Sequence, residues 1–157
     1  MKPLDPHRAP VNHDEALRAS EDKFAKAFRT TPDTMVITDR ASGVFIEVNP
    51  AFERQFGWSQ SEATGRTSSE LNIWASPAER QRMLDALAKD GRLDSLEVEL
   101  HHRDGRSSSN LLYGAECQID GNPCLVLTVR DVTRQRRQEQ ALQDSQERLS
   151  LALESAE

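Results

Sequence analysis

All seven glycines of this chain lie between Gly43 and Gly121. Glycine serves where a backbone must turn with positive φ, and it weakens the interior of a helix. A turn-rich middle is therefore flanked by two stretches that can run as continuous helix. That division limits the architecture before any motif is read.

The flanks bear it out in pattern. Residues 1–13 carry Pro3, Pro6 and Pro10 and no apolar run, so they are expected to be disordered and are not a secretory leader. From Asp14 to Arg29, Ala16, Leu17, Phe24, Ala27 and Phe28 fall at helical spacing, with Glu15, Glu21, Lys23 and Lys26 opposite. This predicts a helix over 14–30, ended by Pro32. At the other end, 134–157 reads as a very polar helix with Leu142, Leu149 and Ala156 at heptad spacing and Leu153 beside them.

The middle, 31–133, alternates strand and helix signals. Thr34–Asp39 and Gly43–Val48 read as a hairpin. Asn49-Pro50 opens a helix as N-cap and first residue, and Gly57 stops it. Ser76-Pro77 opens another, with Glu79 expected to complete a capping box, and Met83, Leu84, Leu87 and Ala88 form its apolar stripe up to Gly91. Three strands follow. A two-residue turn at Asp104-Gly105 sets Val98 opposite Leu111 and Leu96 opposite Tyr113. A second at Asp120-Gly121 sets Cys117 opposite Cys124. The last strand, Cys124–Val129, is apolar on both faces and is expected at the sheet's centre. The element order gives an α+β domain with a five-stranded antiparallel sheet.

Composition narrows the function. A net charge of −6 argues against general nucleic-acid binding, which wants a basic face. Arg134, Arg136 and Arg137 are followed at once by Glu139, Asp144 and Glu147 and read as a solvated helical face. No run of 18 apolar residues offers a membrane span, and two cysteines are not a disulfide scaffold. The expected setting is cytoplasmic.

Four stretches, in order and spacing, resemble the PAS domain of bacterial signalling proteins. They are Gly43-Val-Phe-Ile-Glu-Val-Asn-Pro-Ala-Phe-Glu-Arg-Gln-Phe-Gly-Trp58, Glu62-Ala-Thr-Gly-Arg66, Arg103-Asp-Gly-Arg106 and Arg130-Asp-Val-Thr133. The resemblance implies a sheet ordered 2-1-5-4-3 and places Asp131 and Thr133 where the family couples the sheet to an output helix. It also bears on cofactors. Haem-binding relatives use a histidine on a helix beside the pocket, and residues 77–90 contain none. Flavin photochemistry in the family uses a cysteine where Gly65-Arg-Thr-Ser68 has serine, so no cysteinyl adduct can form there. The cofactor, if any, is left open.

Residues 16–28 and 141–153 share Ala, Leu, Ser and Ala at an offset of 125, with conservative charged and apolar pairs between. Either two polar helices are alike by chance, or the tail opens a second module in a tandem array.

No nucleophile–base or metal-ligand motif stands out. His7 and His13 lie at the N-terminus, and His101 and His102 approach an exposed turn and are expected to be solvated. Phe52, Trp74, Met83 and Leu87 either line a pocket between sheet and helices or fill the core. Cys117 and Cys124 are expected as small buried hydrophobes, with a redox pair as the alternative. The expectation is a non-catalytic sensor that signals through its last helix to an output domain, a histidine kinase or a cyclic-di-GMP enzyme. It would dimerise through its flanking helices. The alternative is a ligand-free interaction and dimerisation module.

Overall fold

The computed structural model describes residues 13–156. The expected disorder of the proline-bearing N-terminus falls outside these, except that His13 already belongs to a helix. The chain divides after Thr31 into two units. The first contains α1 (His13–Thr30), on which Leu17 and Phe24 are exposed.

The second unit runs β1 (Thr34–Asp39), β2 (Phe45–Val48), α2 (Pro50–Phe56), α3 (Gln60–Ala63), α4 (Pro77–Asp90), β3 (Arg92–His101), β4 (Ser107–Ile119), β5 (Asn122–Asp131) and α5 (Thr133–Glu154). The five strands form one antiparallel sheet in the order β2-β1-β5-β4-β3. The both-faces-apolar strand is at its centre, as its pattern required. Val36, Leu112, Leu125 and Leu127 from the sheet pack with Phe45, Phe52, Phe56, Met83 and Leu87 in one core.

Asn49 is buried and spends its amide on the join between β1 and α2. Its Oδ1 accepts from the Phe52 and Met35 N–H groups, and its Nδ2 donates to the Asp33 carbonyl. One polar side chain thus caps a helix and pins it to the start of β1.

Two local expectations fail, each for a visible reason. The β3–β4 register is one residue off the expected one: Val98 faces Asn110, and Leu96 faces Leu112. The His102 N–H donates to the Arg106 carbonyl across a three-residue turn, the Gly105 N–H donates to the His102 carbonyl, and Gly105 sits at φ 88°. A three-residue loop closing on a left-handed residue replaces the two-residue turn. The shift puts Ser108, Asn110 and Leu112 on the buried face instead of Leu111 and Tyr113. At the next turn Asp120 (φ 51°) and Gly121 (φ 78°) do form the two-residue loop, and Cys117 pairs with Cys124.

The second failure is the capping box at Ser76, which makes no side-chain cap bond. Glu79 is drawn across to β3 instead, accepting the Glu99 N–H at 3.0 Å and pairing with Arg82. A capping box does form one helix earlier, between Ser59 and Glu62. Where Gly114 of β4 pairs with Leu127 of β5, a Cβ on the glycine would stand 2.5 Å from Leu127 Cδ2 and 2.8 Å from the Val126 carbonyl. Only glycine fits there.

Candidate functional site: a cavity between sheet and helices

Beneath the sheet lies a cavity of about 240 Å³. Phe52, Trp74, Met83 and Leu87 all stand on its wall, and Phe52, Met83 and Leu87 belong to the buried core as well. β1 turns Thr34, Val36 and Thr38 toward it, because alternate residues of a strand share a face. β5 contributes Leu125, Leu127 and Val129 by the same rule.

The polar members of the wall went unnoticed in the sequence. Arg80 is three residues before Met83 and seven before Leu87, so it shares their helical stripe, and an arginine in that stripe was the available signal. The Thr38 hydroxyl has no hydrogen-bond partner among the described residues, although the residue is only 8% exposed. Ser68 also lines the cavity and accepts the Trp74 indole N–H at 2.8 Å. No histidine or cysteine is among the lining residues.

A buried polar chain leads away from the cavity. The Thr34 hydroxyl donates to Gln55 Oε1 at 2.6 Å, and Gln55 Nε2 donates to Asn110 Oδ1 at 2.8 Å. Asn110 Nδ2 donates to Ser108 Oγ, which also bonds His102 Nε2 at 2.8 Å. Asn110 is fully buried and every polar atom of its amide is used. His102 is not solvated as expected: its ring packs on Phe56 with centroids 5.3 Å apart. The cause is the three-residue turn, whose Arg103 N–H donates to the Phe56 carbonyl and draws the hairpin over α2. Burial lowers the imidazole from its usual range, and its Nδ1 is buried with no partner among the described residues.

The exit from the sheet is equally tied. β5 passes into α5 through Val132 alone. Asp131 Oδ1 accepts the Thr133 N–H at 2.9 Å, and the Thr133 hydroxyl accepts the Ser109 N–H at 2.9 Å. One turn on, Arg136 grips Glu97 of β3 with both arms of its guanidinium, at 3.0 and 3.1 Å.

Cys117 and Cys124 are both free thiols on the sheet face opposite the cavity. Cys124 is buried and Cys117 half-buried, and burial raises the Cys117 thiol above its usual range.

The fold and cavity are those of a sensor module, and comparison with known proteins agrees. The PAS fold family matches residues 22–106, and the chain belongs to that family. The sensor protein FixL of Bradyrhizobium diazoefficiens is 30% identical over 85% of this chain. The chain spans 27% of that relative's length. Among solved structures, the PAS domain of an HTR-like protein from Haloarcula marismortui superposes with a TM-score of 0.61 at 24% identity, covering 78% of this chain and 99% of that one. A PAS domain from a two-component sensor histidine kinase gives 0.61 at 14% identity, covering 73% and 98%. The family match covers a single module and does not extend to the tandem reading of the 125-residue offset.

Proposed function

We propose that this PAS domain senses a small molecule held in its central cavity and reports it through α5 to an output domain of a larger signal-transduction protein. One observation carries the reading: β5 supplies three wall residues, Leu125, Leu127 and Val129, and then continues into α5 after one intervening residue. A change in strand twist at the wall is therefore delivered directly to the first turn of α5, where Asp131 and Thr133 hold the backbone. The output we favour is a histidine kinase, in line with the sensor-protein relative and the kinase parentage of one structural neighbour. A cyclic-di-GMP enzyme is the second choice, and the working compartment is the cytoplasm; no helix among the described residues is long and apolar enough to cross a membrane.

Native mass spectrometry and an absorption spectrum of the purified protein test the sensing step. The expected result is a co-purifying small molecule that is released on denaturation. Should the protein carry nothing and gain nothing from a cell extract's small-molecule fraction, the ligand-free dimerisation module becomes the better reading. The exposed leucines of α5 would then be its working surface.

A further inference from the structure

The wall of the cavity is apolar almost throughout, and its charged groups gather on one side. Asp39, Arg40, Ala41 and Gly43 of the β1–β2 turn meet Arg80 of α4 there. A Cβ on Gly43 would lie 3.8 Å from Arg80 Nη2, which fixes how near the guanidinium comes to that turn.

The three charges differ in what they are attached to. Arg40 is paired with Glu116 at 2.6 Å. Asp39 turns its Oδ2 onto the Ser42 N–H and hydroxyl at 2.8 and 2.7 Å. Arg80 has neither an ion pair nor a hydrogen bond among the described residues. Its neighbour Glu79 is engaged by Arg82 and by the Glu99 N–H. A half-buried guanidinium with five donors and no fixed acceptor is an incomplete arrangement, because each donor removed from water costs free energy until something accepts it.

We propose that the ligand is a small monocarboxylate with an apolar body, its carboxylate held by the Arg80 fork and its body lying among Val36, Phe52, Met83, Leu87 and Leu125. This rests on the cavity being the sensing site. A planar guanidinium matches a carboxylate through two parallel bonds. A single free cation beside the Asp39 carboxylate suits a monoanion and disfavours a dianion. Size sets the rest: the cavity measures about 240 Å³. That is below the range of drug-sized pockets.

Isothermal titration of the full chain with octanoate, 1-octanol and octyl phosphate tests the assignment, in the wild type and in Arg80→Gln. Circular dichroism confirms that the variant is folded. Octanoate should bind best to the wild type. Arg80→Gln should weaken octanoate about tenfold or more, as loss of a charge-assisted pair does, and leave octanol unchanged. Arg80→Lys should recover part of the loss. Equal binding of acid and alcohol, tighter binding of the phosphate, or an acid affinity indifferent to Arg80→Gln would overturn the carboxylate assignment and leave the sensing cavity standing. If none of the three binds, the carboxylate assignment falls, and the sensing cavity stands or falls separately on whether native mass spectrometry finds another small molecule bound.

Discussion

His102 is the side chain in which the local chemistry of this domain is most exposed to test. Its Nε2 is engaged by Ser108, its ring is laid on Phe56, and its Nδ1 is buried with no partner among the described residues. A second proton would have to sit on one of these two nitrogens, in a site that burial already makes hostile to charge. Burial is the main cause of the lowered pKa; Arg106 and His101 lower it further, while Asp131 and Asp104 oppose them. The unfolded chain, with its ordinary value of 6.5, therefore takes up the proton before the folded chain does. Stability should be complete above pH 6.5 and should decline as the pH falls below it. The carboxylates held low by hydrogen bonds, Asp39 by the Ser42 hydroxyl and N–H, Asp104 by the Arg106 N–H and guanidinium, and Glu62 chiefly by the Ser59 N–H, lose their contribution only below their ordinary 3.8 and 4.5. The histidine window opens first as the pH falls, at 6.5, before either carboxylate window at 4.5 and 3.8. Urea midpoints measured between pH 7 and pH 5 should fall in the wild type and stay flatter in His102→Gln. Equal slopes would mean that His102 is solvated in solution.

At the scale of elements, the junction of β5 with α5 carries the functional argument. α5 begins at Thr133 with Val132 in the capping position, and Val132 supplies no side-chain cap. Asp131 takes over that task from the strand, accepting the Thr133 N–H. Asp131→Ala should cost about 1 kcal/mol, the usual worth of a lost cap. The thermal midpoint should drop by a few degrees while the sheet stays intact. Amide exchange in residues 133–138 should accelerate well beyond what that loss of global stability explains, because the first turn of α5 is freed. Wholesale unfolding of the variant would assign Asp131 a structural role instead. Much of this geography was readable beforehand, and the exceptions are instructive. The central place of β5 followed from its two apolar faces, and the Asn49-Pro50 helix start from its cap. The β3–β4 register was not readable, because Asp-Gly suits two-residue and three-residue loops alike. Slipping by one exchanged every face, so Asn110 and Ser108 passed for surface residues and the polar chain to Thr34 stayed hidden. Arg80 was overlooked for a related reason. Helical periodicity was counted on apolar residues only, and the arginine falls on the same stripe.

For the molecule as a whole, the open question is what covers its helices. α5 exposes Leu142, Leu149, Leu151 and Leu153, each more than 60% accessible, and α1 exposes Leu17 and Phe24. Leu142 and Leu149 are one heptad apart and Leu153 lies a turn beyond, so three of the four make a broken seam along one side of α5. Burying one such leucine stabilises an assembly by about 1.5–3 kcal/mol, and two copies of the chain bring six on this helix alone. The polar residues between them form bonds at i, i+4 spacing, such as Gln140 to Asp144 and Gln143 to Glu147, which hold the helix straight enough to present that seam. A net charge of −6 opposes self-association but only weakly at physiological salt, where charges beyond about 8 Å are screened. We therefore expect a homodimer formed through the flanking helices. Light scattering over a concentration series should give a dimer for the full chain and a monomer for residues 30–135. Leu149→Asp in the full chain should shift the balance the same way without altering the sheet. If the trimmed chain dimerises as tightly as the full one, the helices are not the interface, and the sheet must supply it.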